Sequence, residues 1–170
     1  MIHDSREAII SRPDATDRAS GELVVYNTQL RGKEPFRTIE PGRVRMYVCG
    51  VTVYDSAHIG HGMSAIVFDV IRRYLEYRGY NVHHAQNFTD IDDKIIARAN
   101  EAGVPPSHLT ESLIREWRDE TAALNILPAT VYPRATEELP GIIAMIEGLI
   151  AKGHAYQADG DAYFRVRSFP

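Results

Sequence analysis

The stretch that most constrains this chain runs from Met46 to His61: Met-Tyr-Val-Cys-Gly-Val-Thr-Val-Tyr-Asp-Ser-Ala-His-Ile-Gly-His. Residues Arg45 to Val48 alternate polar and apolar side chains and run into Cys49-Gly50, the pattern of a strand that stops there. Past Gly62, the residues Ile66, Val70 and Tyr74 recur every four positions with Val67, Ile71 and Leu75 beside them, which predicts an amphipathic helix. Gly79 supplies the left-handed residue that ends it. In an open α/β sheet a strand-to-helix junction is where ligands bind, at the positive end of a helix dipole. His58 and His61 lie in that junction, three residues apart, so one helical turn points both rings the same way. Gly60 between them removes a side chain and lets a flat ring lie against the backbone. Imidazoles beside helix amides can donate to a phosphate that gains charge during in-line displacement. The competing reading is one capping histidine and one surface histidine. The setting of strand, glycine loop and amphipathic helix favours the phosphate site.

The next strand is expected over Asn81 to Gln86, where the adjacent His83 and His84 point to opposite faces and make a poor chelating pair. Asn87-Phe-Thr-Asp-Ile-Asp-Asp-Lys follows on the same ligand-binding edge. Asp90, Asp92 and Asp93 there suit either a hard cation or the cap of a helix running to about Ala102, with Gly103 as its stop. After Pro105-Pro106, Ser107 can cap a helix whose stripe is Leu109, Leu113, Trp117 and Leu124, with Trp117 in the core. Thr136 can cap a further helix that buries Leu139, Ile142, Ile143, Ile146, Leu149 and Ile150, with Pro140 in its tolerated first turn. Asp159-Gly160 then marks a hairpin between Ala155–Gln157 and Ala162–Val166. Ahead of the central motif, Leu23 to Tyr26 and Phe36 to Ile39 read as a small hairpin around a turn at Arg31–Pro35. Arg31 and Lys33 in that turn suit an RNA phosphate, or solvent alone.

A chain of 170 residues buries one core. Its apolar runs are far too short to span a membrane, and no apolar segment follows a basic N-terminus as in a secretory leader. One cysteine excludes an internal disulfide framework and fits a reducing, cytoplasmic setting. A net charge of −4 argues mildly against bulk electrostatic binding of nucleic acid, although a local basic patch is compatible with it. Met1 to Gly21 is polar and of mixed charge, and reads as a flexible extension or a short helix. Cys49 by itself reads as a small buried apolar residue.

His58-Ile59-Gly60-His61 resembles the nucleotide-binding signature of class I aminoacyl-tRNA synthetases, and the run Met46 to Asp55 resembles the cysteinyl-tRNA synthetase family in particular. Asn87 to Ile95, Pro133-Arg-Ala-Thr136 and Gly153-His-Ala-Tyr156 extend the resemblance from about Leu23 to the last residue. It implies the first half of a Rossmann-like α/β nucleotide-binding fold. The units implied are an extension over 1–21, the half-domain over 22–127, and the start of a connective insertion over 128–170. It implies ATP bound by His58, Ile59, Gly60 and His61, with Mg2+ accompanying the ATP and both histidines catalytic. It also implies L-cysteine bordered by Gly50, Thr52, Asn87 and Thr89, with tRNA(Cys) as acceptor and no membrane partner. Cys49 becomes a Zn2+ ligand under this resemblance. Zinc binds a substrate thiolate but takes a serine hydroxyl poorly, so such a site rejects serine without editing.

The family's other zinc ligands, its Lys-Met-Ser-Lys-Ser loop and its anticodon-reading helices match nothing up to Pro170. The chain is therefore expected to be an N-terminal part of the enzyme and inactive alone. Three alternatives compete. A nucleotidylyltransferase also uses His-x-Gly-His, but leaves Cys49 and Thr89–Ile95 without a role. The cysteine ligase of mycothiol synthesis is similar, but usually has proline where Val53 stands and a different residue at Lys94. A non-catalytic nucleotide-binding fragment would retain ATP binding without turnover.

Overall fold

A computed structural model describes residues 21–169. All but the last residue of the extension expected over 1–21 lies outside the described residues.

The frame of the site is a β-α-β unit. Strand β3 (Arg43–Thr52) pairs in parallel with β4 (Asn81–Thr89), and helix α1 (Ile59–Tyr77) connects them. Ahead of it, β1 (Val24–Asn27) and β2 (Gly32–Pro35) form an antiparallel hairpin. The second strand thus occupies the stretch the sequence assigns to the turn. The turn comes earlier because Asn27 Oδ1 accepts the Gln29 N–H at 2.9 Å and Arg31 takes a left-handed φ of 53°.

The third neighbour in the parallel sheet is irregular. Residues 130–135 run beside β4 through parallel bridges Ala85–Val131 and Phe88–Arg134. Phe88 N–H donates to Pro133 O at 2.9 Å and Gln86 N–H to Val131 O at 3.1 Å. Pro133 lacks an N–H, which keeps this segment from forming a full ladder. The boundary drawn at 128 therefore assigns to the later unit a segment that hydrogen-bonds to the first.

Helices α2 (Asp93–Ala102) and α3 (Pro106–Ala123) bring Ile95, Ile114 and Trp117 into one core with Val53 and Phe88 at the C-terminal ends of the strands. Of the two readings of the acidic cluster, the described residues show capping. Asp92 accepts the Lys94 N–H at 2.9 Å and Gly103 ends α2 at φ 66°. Helix α3 begins at Pro106 with no side-chain cap, so Ser107 lies inside it. Trp117 is buried as expected, in a core with Val53, Ala65, Phe88, Ile95 and Ile114.

Two sequence stripes are only partly buried here. On α1 the buried positions are Ala65, Asp69 and Leu75, while Ile66, Val70 and Tyr74 are 42%, 58% and 43% exposed. Helix α4 (Leu139–Ala151) buries none of its residues, and Ile143 is 54% exposed. Leu75 of the first stripe is buried and Ile146, Leu149 and Ile150 of the second are half-buried. Periodicity identifies an apolar face but not what covers it, and the rest of each face is exposed among the described residues. Thr136 does not cap α4 either; Asp90 accepts its N–H at 3.0 Å and its hydroxyl at 2.6 Å, and the helix starts beyond Glu138. The hairpin of β5 (Ala155–Ala158) and β6 (Asp161–Phe164) follows, with Asp159 and Gly160 at φ 53° and 92°.

Asp69 fixes α1 to the rest of the unit. This buried carboxylate accepts Arg73 Nε at 2.6 Å and the Leu127 N–H at 3.0 Å. Arg73 and Arg72 in turn donate to Asn125 O and Pro128 O.

His84 is also buried, while His83 is exposed, as strand alternation requires. Neither ring nitrogen of His84 has a partner among the described residues. Burial chiefly, and then the Arg72 charge, hold its pKa below the ordinary histidine value, against an opposing pull from Asp69. The folded chain therefore takes up fewer protons than the unfolded one as pH falls. Its stability is full above the unfolded histidine value of about 6.5 and declines as pH drops below it. The thermal midpoint measured at about pH 7.5 and about pH 5.5 is expected to change less in His84→Leu than in the parent. Equal changes in both would move the acid sensitivity to another group.

Candidate functional site

β3 and β4 end side by side, with Thr52 opposite Thr89 and the Val53 N–H donating to Thr89 O at 3.2 Å. The chain then leaves the sheet through Tyr54–Ala57 and enters α1 at His58, which is extended at φ −120° and ψ 171°. The helix therefore begins inside the His-Ile-Gly-His run, as expected of a histidine pair that opens it.

The two histidines cap α1 reciprocally. Gly60 N–H donates to His58 Nδ1 at 3.1 Å, and His58 N–H donates to His61 Nδ1 at 3.3 Å. This has the connectivity of a capping box, built from imidazoles where serine or threonine and glutamate are usual. The rings stack with centroids 3.9 Å apart and planes 17° apart. A β-carbon on Gly60 would stand 2.9 Å from His58 Cε1 and 3.0 Å from its Nδ1. The flat ring that Gly60 admits is thus that of His58. The readings of cap and ligand site do not exclude each other, because only Nδ1 of each ring is used in the cap.

That division has a chemical consequence. With Nδ1 acting as acceptor, each neutral imidazole carries its hydrogen on Nε2, which is left as a donor. Burial, and secondarily the neighbouring His58, keep the pKa of His61 below the ordinary value. His61 is therefore neutral at physiological pH, a hydrogen-bond donor without a net charge. Trp117 meets its ring edge-on, with centroids 6.4 Å apart. On the other side, His58, Ala57, Ile59, Gly62, Trp117 and Leu124 border a cleft of about 350 Å³. The Ile59 side chain is 90% exposed.

The second half of the site is the strand end. β3 does not stop at Cys49-Gly50; its register with β4 shifts between Val48–Gln86 and Val51–Phe88, so Cys49 and Gly50 together face Asn87. This is a β-bulge. Asn87 Oδ1 accepts the Gly50 N–H at 2.8 Å and the Tyr47 hydroxyl at 3.0 Å, and Asn87 Nδ2 donates to Thr89 Oγ1 at 3.3 Å. Gly50, Asn87 and Thr89 thus form one bonded group, with Thr52 paired beside them.

Cys49 is exposed, which corrects its reading as a buried apolar residue. Strand alternation accounts for the difference, because Cys49 shares the exposed face of β3 with Arg45 and Tyr47 while Val48 beside it is buried. Among the described residues no three His, Cys, Asp or Glu side chains approach closely enough to hold a metal. Cys49 offers one thiolate, where zinc takes three or four protein ligands, so the described residues alone do not fit a zinc site. Sequence reasoning missed Tyr47, whose only signal was its place two residues before Cys49 on an alternating strand. It also missed Asp69, a carboxylate on the buried face of α1.

The chain matches the family described as tRNA synthetases class I (C) catalytic domain over residues 35–170. It is 60% identical over 146 residues to a cysteine–tRNA ligase of Dehalococcoides mccartyi, covering 85% of this chain and 32% of that one. A cysteine–tRNA ligase of Lachnoclostridium phytofermentans is 54% identical over 147 residues, covering 86% and 31%. The chain thus spans about a third of the length of the curated relatives it matches. Among solved structures, methionyl-tRNA synthetase of Mycobacterium tuberculosis in complex with methionyl-adenylate superposes with a TM-score of 0.60 at 23% identity, over 66% of this chain and 23% of that one. An Agrobacterium radiobacter LeuRS in a ternary complex with tRNA and LeuAMS also gives 0.60, at 20% identity over 71% and 16%. At such identities these likenesses establish the fold, which is that of class I synthetases.

Proposed function

The chain belongs to the family of class I (C) tRNA synthetase catalytic domains, and from that premise we propose that it is the nucleotide-binding part of a cysteine–tRNA ligase. The observation that carries this reading is the histidine capping box at the strand ends, which leaves both Nε2 donors uncommitted to the cap. In the proposed reaction the carboxylate of L-cysteine attacks the α-phosphate of ATP and pyrophosphate leaves. A terminal ribose hydroxyl of tRNA(Cys) then attacks the cysteinyl carbonyl, and AMP leaves. His58 and His61 donate through Nε2 to the phosphate oxygens on which charge builds, while Ile59 and Gly60 complete the nucleotide-binding turn. Gly50, Thr52, Asn87 and Thr89 border the amino acid. Mg2+ accompanying the ATP and a cytoplasmic location belong to the same proposal.

Cys49 is proposed as a single zinc ligand, with the others supplied from outside these residues. Zinc, when bound, would supply a soft Lewis acid that prefers a thiolate to a hydroxyl. A requirement for zinc is a separate question from phosphate activation, so the test treats them separately.

That test is ATP–pyrophosphate exchange dependent on cysteine, with serine as the control substrate and zinc added or chelated. The 170-residue chain alone is expected to give none. A chain extended to the full length of the relatives is expected to exchange with cysteine only, and to charge tRNA(Cys) rather than a glucosaminyl-inositol. Equal exchange with serine, or none in the longer chain, would overturn the assignment.

A further inference from the structure

The Cys49–Gly50 bulge is held by a side-chain latch rather than by the sheet ladder. At the bulge two residues of β3 face one of β4, so a ladder hydrogen bond is lost and the Gly50 N–H needs another acceptor. Asn87 supplies it with Oδ1 at 2.8 Å, a short and well-formed bond. The same oxygen accepts the Tyr47 hydroxyl at 3.0 Å, and the amide nitrogen donates to Thr89 Oγ1 at 3.3 Å. An amide held at both ends cannot flip, so the oxygen stays on Gly50.

Tyr47 is 65% exposed, so burial does not account for its ring lying at this point of the sheet. Its hydroxyl reaches across to β4 and meets the residue opposite the bulge. Gly50 is required because the strands approach so closely there that a β-carbon would overlap the Asn87 carbonyl. Cys49, the other bulged residue, lies on the exposed face of β3 beyond Tyr47.

We infer that Tyr47 is a positioning residue: acting through Asn87, it fixes the bulge and so sets the direction of the Cys49 thiol toward the amino acid. Asn87 acts in this arrangement through the backbone of β3. The inference about cysteine rests on the proposed function; the latch itself does not.

Tyr47→Phe removes the hydroxyl and keeps the ring. Three readouts follow. In the 170-residue chain, exchange of the Gly50 amide with deuterium is expected to accelerate about tenfold, the equivalent of one hydrogen bond, and the thermal midpoint to fall by about 2–4 °C. Alkylation of Cys49 by iodoacetamide, unambiguous because the chain has 1 cysteine, is expected to change rate in the same variant. In the full-length enzyme, KM for cysteine is expected to rise severalfold, with KM for ATP and kcat little altered.

Asn87→Ala is expected to abolish Gly50 protection altogether. Unchanged Gly50 exchange in Tyr47→Phe overturns the latch. Faster exchange with an unaltered KM for cysteine overturns the positioning of the thiol. A full-length parent enzyme without cysteine-dependent exchange would instead refute the proposed function, and the amide and alkylation rates would still decide the latch.

Discussion

In the full-length enzyme, His61→Ala is expected to lower the rate of cysteinyl-adenylate formation by about 10²–10³, the usual effect of removing one donor aimed at developing charge. The substitution does two things at once. It removes the Nε2 donor, and it removes the acceptor of the His58 N–H in the capping box. The second effect belongs to stability and is worth about 1 kcal/mol. His61→Asn separates them, because an amide oxygen can restore the cap acceptor while the outward donor is lost. Pre-steady-state formation of adenylate then distinguishes the two roles. If Asn restores the rate as well as the midpoint, the histidine serves only as a cap. His58→Ala is expected to behave similarly, since its Nδ1 caps Gly60 and its ring stacks on His61. A rate unchanged in both alanine variants would remove the pair from the chemistry.

Gly50→Ala is expected to have the largest effect on the fold itself. Its β-carbon would stand 1.6 Å from the Asn87 carbonyl oxygen and 2.7 Å from the carbonyl carbon. Both are backbone atoms of a central strand, so no rotamer change relieves the overlap. β3 and β4 must separate, which breaks the Asn87 latch and disturbs the pairing that places Phe88 in the core. Overpacking of this kind costs about 3 kcal/mol or more. Urea denaturation of the 170-residue chain should show that loss as a lowered midpoint with little change in slope. A loss below about 0.5 kcal/mol, the range of ordinary surface changes, would mean that the strands are not in close contact there. Gly60→Ala is a useful comparison. There the obstacle is the His58 ring, a side chain that can rotate away, so the cap suffers more than the fold.

Some of this was legible in the residues because it depends on near neighbours. The glycine stop of α1, the Asp92 cap of α2 and the Asp159-Gly160 hairpin each follow from a backbone conformation or a hydrogen bond spanning a few positions. The His-Ile-Gly-His run is equally local, which is why its geometry and its family resemblance were both readable. The strand end was not. An alternating pattern followed by glycine reads as a stop, and only the partner strand converts it into a bulge that continues to Thr52.

The partly exposed stripes of α1 and α4 show the limit from the other side. Their periodicity correctly marks helices, but burial belongs to pairs of elements, and among the described residues those faces are covered only in part. Asp69 shows the converse: a charge that the pattern assigns to solvent is buried because the Leu127 amide comes to it from elsewhere in space, beside Arg73 one turn along the same helix. Sequence by itself determined the ends of α1 and α2, the hairpin turn, the family and the local turn that carries the two histidines, because these depend on contacts a few residues apart. The tertiary structure alone decided that Tyr47, Gly50 and Asn87 form one group, because those contacts join residues 37 and 40 positions apart and arise only once two parallel strands are in register.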